Sequence, residues 1–272
     1  MSGFDTHWLD LREPADHAAR SLALLEAARR TLGDTAAPIV VDLGCGTGST
    51  ARALHPHLPT DAHWRFVDHD SALLAEARDR QGAGHFAYVE ADLRDLENLP
   101  IGDADLVTAS ALFDLVSQDW LSRFSLRLRD SGAGLYAALS YDGVIEWSEI
   151  HPLDRQAVAA FNAHQGTDKG FGPALGPASP GALAATLAEN GFSVEMADSP
   201  WRMTPGPLHE AFVTGLAGAV RETRLMDEAR LQDWLDFRLS RERAGLCIVG
   251  HRDILARPAR SSGGQNVART GV

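Results

Sequence analysis

A glycine-rich turn that directly follows an apolar run constrains this chain more than any other feature. The run Ile39–Val41 ends in an acid, and a helix-compatible segment begins about eight residues later, after Gly44, Gly46 and Gly48. Glycine permits positive φ angles and leaves room for a ligand against the backbone. The pattern therefore predicts a strand, a tight turn and the start of a helix, the usual form of a nucleotide-type site.

The spacing of the turn separates two classes of ligand. A dinucleotide fingerprint has its third glycine where this chain has Ser49, and Asp42 precedes the first glycine by two residues. A carboxylate at the end of the strand would repel a pyrophosphate but attract an ammonium group. The turn therefore favours a ligand with a cationic amino-acid moiety and speaks against the alternative of a nicotinamide dehydrogenase.

At the segment Asp42–Gly48 the chain resembles the class I S-adenosylmethionine-dependent methyltransferases, since it fits their first motif without a gap. The resemblance implies S-adenosyl-L-methionine as cofactor. It also implies an α/β, doubly wound, Rossmann-like seven-stranded sheet whose last strand is antiparallel and lies between the fifth and sixth. The match covers about residues 36–140 by motif and 180–256 by element order alone.

Composition limits the partners of the chain. Its 272 residues carry a formal net charge of −12 at pH 7, which repels the phosphate backbone of nucleic acids. No apolar run approaches the roughly 18–20 residues that span a bilayer. We therefore expect a small-molecule partner, no nucleic acid and no membrane, while the oligomeric state stays open.

The cysteines and histidines indicate a reducing location and no metal site. Cys45 lies in the glycine turn and Cys247 far along the chain, so we expect no disulfide and a cytoplasmic protein. The N-terminal end has no signal-peptide core, because charged residues interrupt it. The histidines near the second predicted strand lack a completing set of ligands, so no metal is predicted.

Acidic residues follow the next two predicted strands. Asp68 lies about twenty residues beyond the glycine turn, where a carboxylate can bind both ribose hydroxyls; the alternative is a residue beside a helix cap. The resemblance implies that Asp92 binds the adenine amino group and that Leu93 flanks the ring, with Asp95 as the competing acid. The full set of predicted cofactor contacts is Arg20, Asp42, Gly44, Cys45, Gly46, Asp68, His69, Asp92, Leu93 and Ser110.

An N-terminal lid helix is predicted within residues 1–35. The segment Ala15–Leu32 is rich in helix formers, with Pro14 at its first turn and Gly33 as its end. In the resembled family such a helix covers the amino-acid end of the cofactor. Arg20 is therefore expected to reach the cofactor carboxylate, unless it is an ordinary solvent-facing arginine.

The acceptor side is predicted from residues outside the motif. Asp114 follows the fourth strand in an apolar stretch, so burial would raise its pKa and suit it as a general base or as a partner of a substrate cation; the alternative is a surface acid. The further candidate bases are His151 and His164. Lys169 and Trp201, together with Asp114, are the candidate substrate contacts.

The predicted methyltransferase domain covers residues 36–257 and carries two cap insertions. The first, about 142–180, is expected to be a glycine-rich loop, and the second, about 200–245, to contain two helices, one of them from about Glu228 to Arg243. Residues 258–272 are polar and predicted to be a disordered tail.

Methyl transfer from a sulfonium needs alignment and, for some acceptors, a base, so no nucleophilic catalytic residue is required. The proline-containing motif of many nucleobase and protein-amide methyltransferases is missing from Ser110–Phe113. We therefore predict a small-molecule methyltransferase. The alternatives are a protein methyltransferase and a non-catalytic module that binds the cofactor.

Overall fold

The computed structural model describes residues 5–33, 35–82, 84–240 and 245–259. The described helices are α1 (Thr6–Ala19), α2 (Leu22–Leu32), α3 (Ser49–Leu54), α4 (Ser71–Arg80), α5 (Gln118–Ser131), α6 (Asp154–Gln165), α7 (Ser179–Glu189), α8 (Pro207–Thr223) and α9 (Glu228–Leu239). The described strands are β1 (Ile39–Leu43), β2 (His63–Asp68), β3 (His85–Glu90), β4 (Leu106–Ser110), β5 (Gly134–Trp147), β6 (Phe192–Asp198), β7 (Trp201–Met203) and β8 (Cys247–Pro258).

One sheet runs through the molecule in the order β3-β2-β1-β4-β5-β8-β6. The first five strands in this order are parallel, and β8 is antiparallel to both of its neighbours. The predicted seven-stranded, doubly wound fold with its antiparallel last strand is therefore confirmed. The short β7 pairs with β8 beside this order and was not predicted.

The central parallel strands β1, β4 and the first half of β5 are buried on both faces, as is usual for parallel strands covered by helices. Two apolar clusters lie on its opposite sides, one including Trp64, Phe66 and Leu25, the other including Phe113 and Phe124. Since parallel strands end at a common edge, this packing brings the turns after β1, β2, β3 and β4 together.

The N-terminal segment forms two helices, so the prediction of a single helix from Ala15 to Leu32 is wrong. The break lies at Arg20, and Ser21 caps α2 by accepting a hydrogen bond from the Leu24 amide at 3.3 Å. The Ser21 amide donates to Asp253 Oδ2 at 3.0 Å. A buried acid on β8 thus fixes the break, and sequence periodicity contains no sign of it.

The first insertion is more regular than expected. The strand β5 continues to Trp147 through two irregularities in its pairing with β8, and α6 follows. Ala157 and Ala160 are buried where α6 packs beside α8. Small residues at this interface permit close packing, and their low hydrophobicity explains why the helical pattern was weak.

The second insertion contains the two expected helices, α8 and α9. The helix α9 ends at Leu239, and its predicted end at Arg243 lies outside the described residues. Of the predicted tail, Pro258 ends β8 and the Ala259 amide donates to Gly191 O at 3.0 Å; residues 260–272 lie outside the described part. Both cysteines are free and buried. Within the described ranges, no helix has the length and apolarity required to cross a bilayer.

Candidate functional site

A cavity of about 450 Å³ lies at the carboxyl edge of the parallel strands. Its walls come from α1, from the turns after β1 to β4 and from residues 168–171 of the first insertion. The predicted site residues that line it are Gly44, Gly46, Asp68, His69, Asp92, Leu93, Ser110 and Lys169. This volume and position are those expected of a small-molecule site in an open α/β sheet.

The glycine turn has the backbone that its sequence requires. Gly44, Gly46 and Gly48 have φ angles of +63°, +54° and +81°, in a region that side chains disfavour. A Cβ atom on Gly48 would lie 2.3 Å from the side-chain nitrogen Nε2 of Gln81. The turn thereby exposes its backbone to the cavity while α3 begins directly behind it.

Asp68 connects the ends of β1 and β2. Its Oδ2 accepts a hydrogen bond from the Gly46 amide at 2.9 Å and its Oδ1 accepts one from the Asp70 amide at 3.0 Å. An ionised carboxylate has about four lone-pair sites, so two amide bonds leave capacity for a ligand. His69 lies beside it, with Nδ1 3.3 Å from Asp68 Oδ1.

After β3, the structure brings Asp92 and not Asp95 to the cavity. Hydrogen bonds from Arg94 hold the pKa of the Asp92 carboxyl below its ordinary value. Asp95 instead accepts a hydrogen bond from the Asn98 side chain at 2.7 Å. The Leu93 carbonyl accepts one from Trp120 Nε1 at 2.8 Å, which fixes the backbone at this wall.

Two buried groups beside the turn have unused hydrogen-bonding capacity. Asp42 is fully buried, and its Oδ1 accepts from Thr108 Oγ1 at 2.8 Å, whereas Oδ2 has no partner among the described residues. Arg20 is 5% exposed and donates to Ser110 Oγ at 3.2 Å, while its Nε and Nη1 have no partner in the described part of the chain. Buried polar groups are normally paired. An unpaired carboxylate oxygen and a guanidinium with two unpaired nitrogens match the ammonium and the carboxylate of an amino acid.

The charge state of Asp42 depends on its burial. Desolvation raises its pKa to about 7, although the hydrogen bond from Thr108 and the charge of Arg20 act in the opposite direction. The neighbouring Cys45 thiol is also buried, and this burial, with the charges of Asp42 and Asp68, raises its pKa. Cys45 therefore stays a neutral thiol that fills space beneath the turn.

Asp114 lies between α1 and the first insertion, beside the cavity wall formed by Ala111, Leu112 and Leu115. Its Oδ1 is shielded from solvent and has no partner within the described residues. Burial raises its pKa to about 6, while the positive charges of Arg12 and Lys169 lower it. The carboxyl group is thus close to both cations without a hydrogen bond to either.

The other predicted catalytic and substrate residues occupy different places. His151 lies outside the cavity wall, where its Nδ1 accepts from the Leu153 amide at 3.3 Å and its ring contacts Phe237. His164 lies behind Lys169 rather than in the wall. Trp201 is 3% exposed and donates from Nε1 to Asp16 Oδ1 at 2.9 Å, so the structure places it in the core beneath α1.

Sequence reasoning missed three residues that shape the site. Thr108 interrupts the apolar strand β4, and a polar residue inside a buried strand was an available signal. Phe171 and Asp168 enter the cavity wall from the first insertion. No local pattern marks these last two, because their position depends on the path of the whole insertion.

Comparison with known proteins gives a match over part of the sequence and a shared fold over most of the chain. Residues 40–132 match the family described as methyltransferase domain. A malonyl-[acyl-carrier protein] O-methyltransferase from Bacillus cereus is 28% identical over 141 residues, 51% of this chain and 48% of that protein. A trans-aconitate 2-methyltransferase from Yersinia pseudotuberculosis is 35% identical over 88 residues, 32% of this chain and 30% of that protein.

The chain thus spans about half the length of one curated relative and less than a third of the other. Among solved structures, the cyclopropane synthase MmaA2 from Mycobacterium tuberculosis has a TM-score of 0.53 at 15% identity, over 93% of this chain and 95% of that one. This likeness concerns the fold. The match over residues 40–132 shows a methyltransferase domain in that part of the chain, and the sheet order extends the same fold to the rest of the described residues.

Proposed function

We propose that this protein is a methyltransferase that transfers a methyl group from S-adenosyl-L-methionine to a small-molecule acceptor. The observation that carries the proposal is the pair of buried, incompletely paired groups on Asp42 and Arg20 beside the glycine turn. A site for a pyrophosphate would not keep a buried carboxylate at this point. The zwitterionic amino-acid end of the cofactor supplies both missing partners.

Residues of the cavity wall and the two buried groups beside the glycine turn each have a role in this proposal. Asp42 binds the ammonium group and Arg20 the carboxylate, while Asp68 accepts hydrogen bonds from the ribose hydroxyls. Asp92 and Leu93 hold the adenine ring at the end of β3. The glycine turn lets the ligand approach the backbone. When bound, the cofactor supplies a methyl group on a positively charged sulfur.

The chain then has to align the acceptor, exclude water and, for some acceptors, take up a proton. Alignment in a closed site accounts for roughly 7–11 kcal/mol of barrier reduction in favourable cases. Asp114 is the proposed base for acceptors that must lose a proton, because its pKa of about 6 leaves it ionised at neutral pH yet able to accept one. His164 acts through Lys169 in this arrangement, and His151 and Trp201 support the fold around it.

Charge and cavity shape support a small acceptor. The net charge of −12 disfavours nucleic acids, and residues 168–171 form one side of the cavity. Of the two curated relatives, the trans-aconitate 2-methyltransferase is named for a small acceptor, and the other is named for malonyl-[acyl-carrier protein]. The free, buried cysteines support a cytoplasmic location, where thiols stay reduced.

Calorimetry with S-adenosylmethionine and its demethylated product, S-adenosylhomocysteine, tests the proposal. We expect both to bind the wild-type protein, and Asp68→Asn to weaken binding by about 10- to 100-fold, since a hydrogen bond to a charged group contributes about 1.5–3 kcal/mol. The matched control is Asp79→Asn, which neutralises an exposed carboxylate on α4. Absence of binding up to millimolar concentration would refute the cofactor assignment.

A screen of metabolites with methyl-labelled cofactor separates an enzyme from a binding module. Transfer of label to any small compound supports the proposal. Cofactor binding without transfer to any compound, combined with label on a protein substrate, would overturn the small-molecule assignment in favour of a protein methyltransferase.

A further inference from the structure

The acceptor side of the cavity contains an ammonium group with no carboxylate partner. Lys169 is the only lysine of the chain, whose other fixed positive charges are arginines. It is half-buried and lines the cavity beside Phe171. Among the described residues no acid lies within ion-pair distance of its Nζ, and the nearest polar partner is a histidine.

That histidine belongs to a chain of three residues from different elements. Lys169 Nζ lies 3.2 Å from His164 Nδ1, and His164 Nε2 lies 2.9 Å from Glu222 Oε2. An ammonium group only donates, so Nδ1 must accept, and the ring proton must be on Nε2, from which it is donated to the carboxylate. A neutral His164 on α6 and an ionised Glu222 on α8 thereby hold the lysine of the insertion in place.

Of the other charges around Lys169, the buried Asp114 carboxyl is close but makes no hydrogen bond to the lysine, and Asp168 and Arg12 have partners of their own. Asp168 Oδ1 accepts from the Gly170 amide at 2.6 Å and the Gly172 amide at 3.0 Å. Arg12 forms a two-point ion pair with Asp16, with N···O distances of 2.8 and 3.2 Å. Among the described residues on the acceptor side of the cavity, Lys169 is therefore the cation available to bind an anionic ligand.

We propose that the acceptor carries a carboxylate and that Lys169, held by His164 and Glu222, binds it; this inference rests on the proposed function. A single ammonium group matches a monoanion. A carboxylate and a phosphate dianion would both face Asp114 and Asp168, but the second negative charge of the phosphate increases this repulsion while only one ammonium offsets it, so phosphate fits this wall less well. Lys169 still has N–H donors beyond the one used by His164, because an ammonium carries three.

The single lysine allows a direct test by NMR. Protein labelled with ¹³Cε-lysine gives one lysine signal, and it is titrated in the presence of S-adenosylhomocysteine with phenylacetate, phenylacetamide and inorganic phosphate. We expect phenylacetate to shift the Lys169 signal and raise its pKa, whereas the uncharged amide leaves both unchanged. A larger response to phosphate than to phenylacetate would overturn the carboxylate assignment.

Two variants check the binding partner by calorimetry. Lys169→Met should weaken phenylacetate binding by about 10- to 100-fold while leaving S-adenosylhomocysteine binding intact. Arg155→Met, which removes the same charge from an exposed position on α6, is the control and should leave both unchanged. Equal phenylacetate binding by wild type and Lys169→Met would contradict the inference.

Glu222→Gln tests the positioning role, because glutamine still accepts from His164 but lacks the charge. Burial lowers the pKa of Lys169, and Glu222 and Asp114 act in the opposite direction. We therefore expect the glutamine variant to have a lower Lys169 pKa, and an unchanged lysine titration would refute this role. If S-adenosylhomocysteine fails to bind, the proposed function fails; if it binds and carboxylates leave Lys169 unaffected, only this inference fails.

Discussion

Replacement of Asp42 by asparagine tests the amino-acid end of the site. The carboxyl group is fully buried in β1, with Oδ1 bonded to the Thr108 hydroxyl and Oδ2 without a partner among the described residues. Burial raises its pKa from the ordinary value of 3.8 to about 7. Asparagine has nearly the same shape and keeps an oxygen for Thr108, but it carries no charge.

The pKa difference determines how this group affects stability with pH. As pH rises, the unfolded chain loses the proton first, so the contribution of Asp42 to the free energy of unfolding falls between pH 3.8 and about 7 and is constant above. At about 1.4 kcal/mol per pH unit, the ionised group costs roughly 4 kcal/mol above pH 7. By the same relation, the contribution of Asp42 to the free energy of unfolding of the wild type falls by about 1.4 kcal/mol between pH 6.0 and pH 8.5.

The asparagine variant does not titrate at this position, so it lacks this fall in stability. Its buried, unpaired amide lowers the free energy of unfolding by about 1–3 kcal/mol at every pH. We therefore expect its stability relative to wild type to increase by about 1.4 kcal/mol from pH 6.0 to pH 8.5. Urea unfolding without ligand, followed by the fluorescence of the six tryptophans, measures this. Both pH values lie above the sequence pI of about 5.3.

Asp79→Asn is the control. Because this acid is exposed, the difference in free energy of unfolding between the variant and the wild type should not change with pH. If the relative stability of the Asp42 variant changes by less than about 0.5 kcal/mol between the two pH values, which is close to the error of extrapolation, the raised pKa of Asp42 is refuted. With cofactor, wild-type affinity should increase as pH rises through about 7, because the ammonium group binds the ionised acid. The asparagine variant should bind about 10- to 100-fold more weakly and without this pH dependence.

Two further predictions concern the base and the turn. Once an acceptor that must lose a proton is identified, Asp114→Asn should lower kcat by about 10²- to 10⁴-fold and abolish the rise in activity through pH 6 that the wild-type pH profile shows; an unchanged profile would exclude Asp114 as the base. Gly48→Ala should lower the free energy of unfolding by about 1–2 kcal/mol, because its φ is +81° and the new Cβ meets Gln81. Gly215→Ala in α8, where a Cβ has open space, should instead stabilise the protein by about 0.5–1 kcal/mol, and urea unfolding that shows the same sign for both would contradict this reasoning.

The positions of the residues proposed to bind the cofactor were predictable because their signals are local. Asp42 and Asp68 lie at the ends of recognisable strands and the glycines directly follow one, and parallel strands of one sheet end at one edge. The structure brings all of them to the same region. Sequence spacing left open whether Asp92 or Asp95 faces the cavity. The turn after β3 places Asp92 there.

The proposed acceptor side was only partly predictable, since His164 and Lys169 were candidates from the sequence whereas Glu222 and the contacts among the three were not. His164, Lys169 and Glu222 come from two helices and a loop, and His164 and Glu222 are 58 positions apart in the chain. Trp201, which looked like a substrate contact, is instead hydrogen-bonded to Asp16, 185 positions away. Nothing in the local sequence encodes such pairs, because each depends on how the two insertions pack together.

The sequence by itself therefore determined the class of fold and the nature of the ligand site, since strand endings, glycine conformations and acid positions are properties of short segments. The tertiary structure decided where α1 ends, through the bond from Ser21 to Asp253 across 232 positions. It also determined that Lys169 lies in the cavity wall without an ion-pair partner among the described residues. Such choices depend on which polar groups remain unpaired after burial, and pairing is a property of the folded chain as a whole.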